Sequence, residues 1–165
     1  MTYLNSNQLK QYNDEGFVSP VNIFSKEKAK EIRDEIELIE KKLPNELEKT
    51  GRYNAHLISP MLDEVTHNEN ILNAVESLIG GNILVCGTTL FIKNPGEGGF
   101  VSYHQDAKYI GLEPHNWVTA WVAITDSNEN NGCMKMWSGS HKDNLKKHDQ
   151  NFNEKNLLTR GQTVN

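Results

Sequence analysis

The chain has 165 residues, 36% of them hydrophobic and 24% charged, with a formal net charge of -5. That length suits one domain with a real core, and the mixed charges mark a globular chain rather than a disordered one. An acidic balance with no Lys/Arg block argues against nucleic acid as a partner, because phosphate binding needs a clustered basic face. No apolar run reaches the roughly 18 residues of a membrane span. The start "MTYLNSNQLKQYNDEG" lacks the apolar segment of a signal peptide, so the expected location is the cytoplasm. Cys86 and Cys133 share no CxxC spacing, and two buried free thiols are expected.

In chain order, Leu4 to Glu15 reads as a short helix that Gly16 ends in the left-handed C-terminal position. "FVSPVNIF" reads as extended. Ser25 is a good N-cap for a stretch in which Ala29, Ile32, Ile36, Ile39 and Leu43 recur at spacings of three and four, an amphipathic helix running to Pro44. Residues 44 to 60, with prolines at both ends and Gly51 between, read as a surface loop. From Asn68 onward Ile71, Leu72, Val75, Leu78 and Ile79 keep helical spacing until Gly80 and Gly81 close the segment.

After Gly81 the pattern changes to short apolar, β-branched runs: "NILVCGTTLFIKN", "FVSYHQDAKYI", "NWVTAWVAIT" and "GCMKMWSGS". Turn-rich stretches separate them, so the chain reads as α+β, with helices first and an antiparallel sheet or barrel second.

One of these runs carries chemistry. On a strand, residues i and i+2 share a face, so His104 and Asp106 would project together, with Gln105 pointing away. An imidazole nitrogen and a carboxylate oxygen placed so can share one ion, as in the facial triad of two histidines and a carboxylate that binds Fe(II). The spacing alone is weak: with six histidines, chance supplies an H-x-D in roughly one such chain of four. A second copy indeed occurs at His141 and Asp143, in a turn-like, polar setting where an exposed loop is the expectation.

The context of the first pair resembles the phytanoyl-CoA dioxygenase family of Fe(II)- and 2-oxoglutarate-dependent oxygenases. The resemblance runs through "YNDEGFVSPVNIFSKEKAKEIRDEIE", "LIGGNI", "LFIKNPGEGG", "YHQD" and "NWVTAWVAITDSNENNGCMKMWSGSHK", with His148 trailing. It implies a double-stranded β-helix, a jelly-roll or cupin-like barrel, with the amphipathic helices packed on it, all within one domain over 1–165. It implies His104 and Asp106 as iron ligands. By the same carry-over, Gln105, Leu90 and Trp121 match positions that line the 2-oxoglutarate cosubstrate; read from the residues alone, Trp121 is a core aromatic and Leu90 plain core. His141 looks structural by this comparison.

The chain departs from that pattern late. The family places a second histidine ligand on a late strand, with an arginine about ten positions further on for the 2-oxoglutarate carboxylate. Beyond Asp106 the histidines are His115, His141 and His148, and the arginine is Arg160. His148 and Arg160 have a superficially suitable spacing, but "DQNFNEKNLLT" between them has no strand alternation. The expectation is that the closing strands lie outside this chain, and that a longer parent polypeptide or self-association covers the open sheet edge. The leading reading is a dioxygenase, or part of one, hydroxylating a small organic molecule. A non-catalytic barrel module with a weak or absent metal site is the alternative. A cupin-type isomerase or sugar-binding barrel would want a further ligand near "HQD" that the sequence does not offer.

Overall fold

The computed structural model of the protein describes residues 3–44, 52–151, 153–158 and 163–164. Its first half is helical. Helix α1, Ser6–Glu15, starts at Asn5, whose side chain accepts from the N–H groups of Asn7 and Gln8, while the Gln8 side chain accepts from the Asn5 N–H. This reciprocal capping box satisfies donors that have no partner inside the helix. Gly16 ends it at φ 85°, with its N–H on the Tyr12 carbonyl. Helix α2, Lys26–Lys42, is capped by the Ser25 hydroxyl at Lys28 N–H, and its buried stripe is Ile32, Ile36 and Ile39.

The stretch expected to be a loop up to Pro60 instead leads into structure. A 3-10 turn spans Ala55–Leu57, and helix α3, Pro60–Thr66, follows at once with Ser59 as N-cap. Pro60 starts this helix rather than breaking a segment, because the first helical position needs no N–H and its φ suits the ring. Residues 45–51 of the expected loop lie outside the described residues. Helix α4, Glu69–Ile79, is capped by the Asn68 side chain and closed at Gly80.

These helices hold the core. Ile32, Ile36 and Ile39 of α2 pack with Ala55 and Leu62, and Phe24, Met61, Val65, Leu90, Ile92 and Ile124 surround them. Ser59, 2% exposed, ties the layers together: its hydroxyl donates to Glu35 Oε1 at 2.9 Å and accepts from Leu62 N–H at 3.4 Å. Leu4, 1% exposed, docks the start of α1 near α4, its N–H donating to Ser77 Oγ at 3.3 Å.

The β-branched runs of the second half lead one to expect strands, but the described residues show neither regular strands nor the barrel. Outside the helices, strand pairing among them is confined to isolated bridges: Tyr53 with Thr89 and His148 with Val164, both antiparallel, and Phe100 with Asn156, parallel. Several of these backbone groups bond to side chains, as Thr88 N–H does to Asn54 Oδ1 and Ser102 N–H to Asn156 Oδ1. Large apolar side chains on these segments stay open, with Leu84 90% and Met134 52% exposed. Cys86 is exposed and Cys133 half-buried, both as free thiols. The expectation of a buried Cys86 fails for the same reason, since among the described residues no layer covers its side chain.

Candidate metal centre at His104 and Asp106

The His-x-Asp pair does come together, by a different route from the one the spacing suggested. Residues 101–105 are in neither helix nor strand, and Asp106, with helical φ -56° and ψ -35°, opens the single turn α5, Ala107–Ile110. The bend at Asp106, not strand alternation, swings its carboxylate back so that Oδ1 lies 3.1 Å from His104 Nε2.

Each partner is held from behind. His104 Nδ1 donates to the Ser102 carbonyl at 2.8 Å, which leaves Nε2 as the nitrogen facing Asp106. The ring of Tyr109, one turn into α5, meets the His104 ring edge-on with centroids 5.6 Å apart. Asp106 Oδ2 accepts from Thr119 Oγ1 at 2.7 Å. A neighbouring carboxylate favours the imidazolium and an imidazolium favours the carboxylate. The hydrogen bond to Asp106 therefore raises the His104 pKa above its ordinary value, and the same bond lowers that of Asp106.

The two donor atoms fit one divalent ion. An ion about 2.1 Å from each of two adjacent octahedral donors separates them by about 3 Å, close to the 3.1 Å found here. The Nδ1–H bond to a carbonyl is the outer contact that fixes ring orientation and tautomer in metal-ligating histidines. A full ligand set is not present: among the described residues no group of three His, Cys, Asp or Glu side chains could hold a metal. All six histidines are described, and the others are occupied elsewhere. His56 meets Thr88, His67 meets Asp63, His115 meets the Leu112 carbonyl and His141 meets the Asn13 carbonyl.

His148 is buried, but its Nε2 accepts from the Gln105 N–H and its Nδ1 contacts the Lys146 carbonyl, so it offers no lone pair to an ion. Arg160, its possible companion in the sequence, lies outside the described residues. His141 sits on the end of α1, where Gly139 N–H also reaches the Glu15 carbonyl, a structural role in keeping with its sequence context.

The remaining sequence candidates are spread out. Gln105 lies between the pair, with Oε1 accepting from Lys146 N–H at 2.7 Å. Trp121 is 43% exposed rather than part of the core. It lies two positions beyond Thr119, the residue that grips Asp106. Leu90 packs against the α2 core and lines a small cavity with Arg52, Tyr53 and Leu157, away from the one beside His104. That second cavity, about 80 Å3, is lined among others by Tyr103, His104, Gln105, Lys135, Trp137 and Lys146. Lys146 Nζ stands 5.4 Å from the Trp137 ring centroid and pairs with Asp143 at 2.9 Å. Thr119 and Tyr109 were not singled out from sequence: both sit in apolar runs where they read as ordinary strand residues.

Comparison with known proteins agrees with the context of the pair. The family model described as Phytanoyl-CoA dioxygenase (PhyH) matches residues 12–163. The rat protein named "Phytanoyl-CoA dioxygenase, peroxisomal" is 30% identical over 88% of this chain and 50% of its own length. Its human counterpart is 39% identical over 48% of this chain and 25% of its own. "Phytanoyl-CoA dioxygenase domain-containing protein 1" of Danio rerio is 34% identical over 54% of this chain and 31% of its own. The chain thus spans half or less of the length of these relatives, and no solved structure matches it significantly. With the match running over nearly all of its length, the chain belongs to the phytanoyl-CoA dioxygenase family.

Proposed function

We propose that the chain carries part of the active site of an Fe(II)- and 2-oxoglutarate-dependent dioxygenase that hydroxylates a small organic molecule, on a barrel of the double-stranded β-helix type. The observation that carries this reading is the 3.1 Å approach of His104 Nε2 and Asp106 Oδ1, each braced on its far side. Membership of the family supports it.

In this reading His104 Nε2 and Asp106 Oδ1 hold the iron, and Ser102 and Thr119 keep the two donors aimed. When bound, the iron would supply the oxidising chemistry, in which 2-oxoglutarate loses CO2 and gains one atom of O2 to become succinate, while the other atom enters a substrate C–H bond. The protein's own share is binding, orientation and exclusion of water. Tyr103, Met136 and Trp137 offer an apolar wall beside His104 for that purpose. A third ligand and a cation for the cosubstrate carboxylate come from polypeptide beyond the described residues or from a second copy of the chain. No described helix is long and apolar enough to cross a membrane, and the reading places the reaction in the cytoplasm.

The test is Fe(II)-dependent formation of succinate from 2-oxoglutarate by the natural polypeptide that contains this chain, with His104→Ala as the control. Turnover abolished in the variant is expected; no turnover in the iron-loaded parent would sink the reading. The absence of a third ligand among the described residues favours a second reading, a non-catalytic module that holds metal weakly or not at all. Stoichiometric Ni(II) binding that His104→Ala removes would exclude its inert form.

A further inference from the structure

The segment that follows the Ser140–Lys142 turn crosses back over the metal pair and closes a small ring of hydrogen bonds on the residue between the two ligands. Gln105 N–H donates to His148 Nε2 at 3.0 Å, and Lys146 N–H donates to Gln105 Oε1 at 2.7 Å. His148 Nδ1 lies 2.9 Å from the Lys146 carbonyl. A backbone N–H can only donate, so His148 Nε2 must present a lone pair, its proton must sit on Nδ1, and Nδ1–H donates to Lys146. His148 is therefore a neutral imidazole with both nitrogens used, at 7% exposure.

The clamp is anchored at both ends. Val164 N–H donates to the Tyr103 carbonyl at 2.9 Å, and Asp149 N–H to the Thr163 carbonyl at 3.0 Å. Gln105 is the last residue before the helical backbone of Asp106, and the direction of its peptide decides where the side chains of 104 and 106 leave the main chain. On its α5 side the bend is held locally, the Gln105 carbonyl accepting from Lys108 N–H at 3.0 Å and the Asp106 carbonyl from Tyr109 N–H at 2.9 Å; on the side of His104 it is the Gln105 N–H that is held, by His148 Nε2.

We propose that His148 is a positioning residue for the metal pair: by accepting the Gln105 N–H it holds the bend that brings His104 Nε2 and Asp106 Oδ1 together. This rests on the reading of that pair as a metal site. It touches neither ion nor substrate and acts only through Gln105. Its signature is a dependence on an acceptor at the Nε2 position, which simple filling of the buried space would not show.

The test uses Co(II), followed by calorimetry and by its visible absorption bands, with circular dichroism as the check on folding. His148→Ala should weaken Co(II) binding by about tenfold or more and change the band pattern, the scale expected for outer contacts of a metal site. His148→Gln, which can return an acceptor oxygen near Nε2, should recover most of the affinity. Folded His148→Ala with unchanged Co(II) affinity and bands overturns the proposal, as does a His148→Gln no better than alanine. If the parent chain binds Co(II) no better than His104→Ala, the metal reading itself fails and takes the proposal with it. Should the alanine variant not fold, 15N shifts of His148 in the parent chain decide: the neutral Nδ1–H form is expected, and an Nε2–H form overturns the clamp.

Discussion

Asp106 is gripped by Thr119, thirteen positions away in the chain: Thr119 Oγ1 donates to Oδ2 at 2.7 Å, on the side opposite His104. That bond fixes which carboxylate oxygen faces the imidazole, so its loss frees the carboxylate to rotate. Thr119→Val, nearly the same shape without the donor, should lower Ni(II) or Co(II) affinity by about tenfold, while Thr119→Ser keeps it. Calorimetric titration of the two variants checks this, and an unaffected valine variant would show that Asp106 is held by other means.

The His104–Asp106 pair has a definite pH behaviour. His104 is raised, so its contribution to stability is complete below the ordinary imidazole pKa and is lost as pH climbs through the raised value. Asp106 is lowered, so its contribution is present above the ordinary carboxylate pKa and is lost as pH falls through the lowered value. Thermal unfolding of the metal-free chain should therefore lose this increment at both ends, and His104→Ala should flatten the alkaline end. Metal must displace the Nε2 proton, so divalent-ion affinity should fall by about tenfold per pH unit below the His104 pKa.

Ser59 is the polar knot of the helical layer, capping α3 while donating to Glu35 on α2. Ser59→Ala removes the cap and leaves the Glu35 carboxylate without that donor. The expected cost is about 1 kcal/mol, or about 2–4 °C in Tm for a chain of this size. Chemical denaturation followed by circular dichroism measures it; since His104 and Asp106 lie elsewhere, the proposed metal affinity of the folded variant should not change.

Gly16 meets His141 closely. A Cβ built at Gly16 would lie 2.5 Å from His141 Nδ1, and the backbone there has φ +85°. Gly16→Ala adds about 1 kcal/mol of left-handed backbone strain and pushes on a ring that donates to the Asn13 carbonyl at 3.1 Å. The steric part should disappear in a His141→Ala background, so the double mutant should cost less than the sum of the two single variants. Equal costs in both backgrounds would mean that the ring yields freely.

Local chemistry made much of this protein legible before any coordinates. Helices α1, α2 and α4 follow from side chains within a few positions of one another: the Ser25 and Asn68 caps, the Ile32, Ile36 and Ile39 stripe, the closing glycines at 16 and 80. Helix α3 escaped because a proline that ends one segment and a proline that begins another look alike until the Ser59 cap is seen in place. The short α5 escaped because "AKYI" continues an apolar run.

His104 and Asp106 were visible because they are two residues apart in a family-like context, so the sequence alone determined the identity of the pair. What only the tertiary structure decided is how the pair is made. The Thr119 hydroxyl and the His148 clamp come from segments 13 and 43 positions away in the chain. Hydrogen bonds over such distances depend on how the chain folds back, and leave no periodicity or spacing in the sequence from which they can be read.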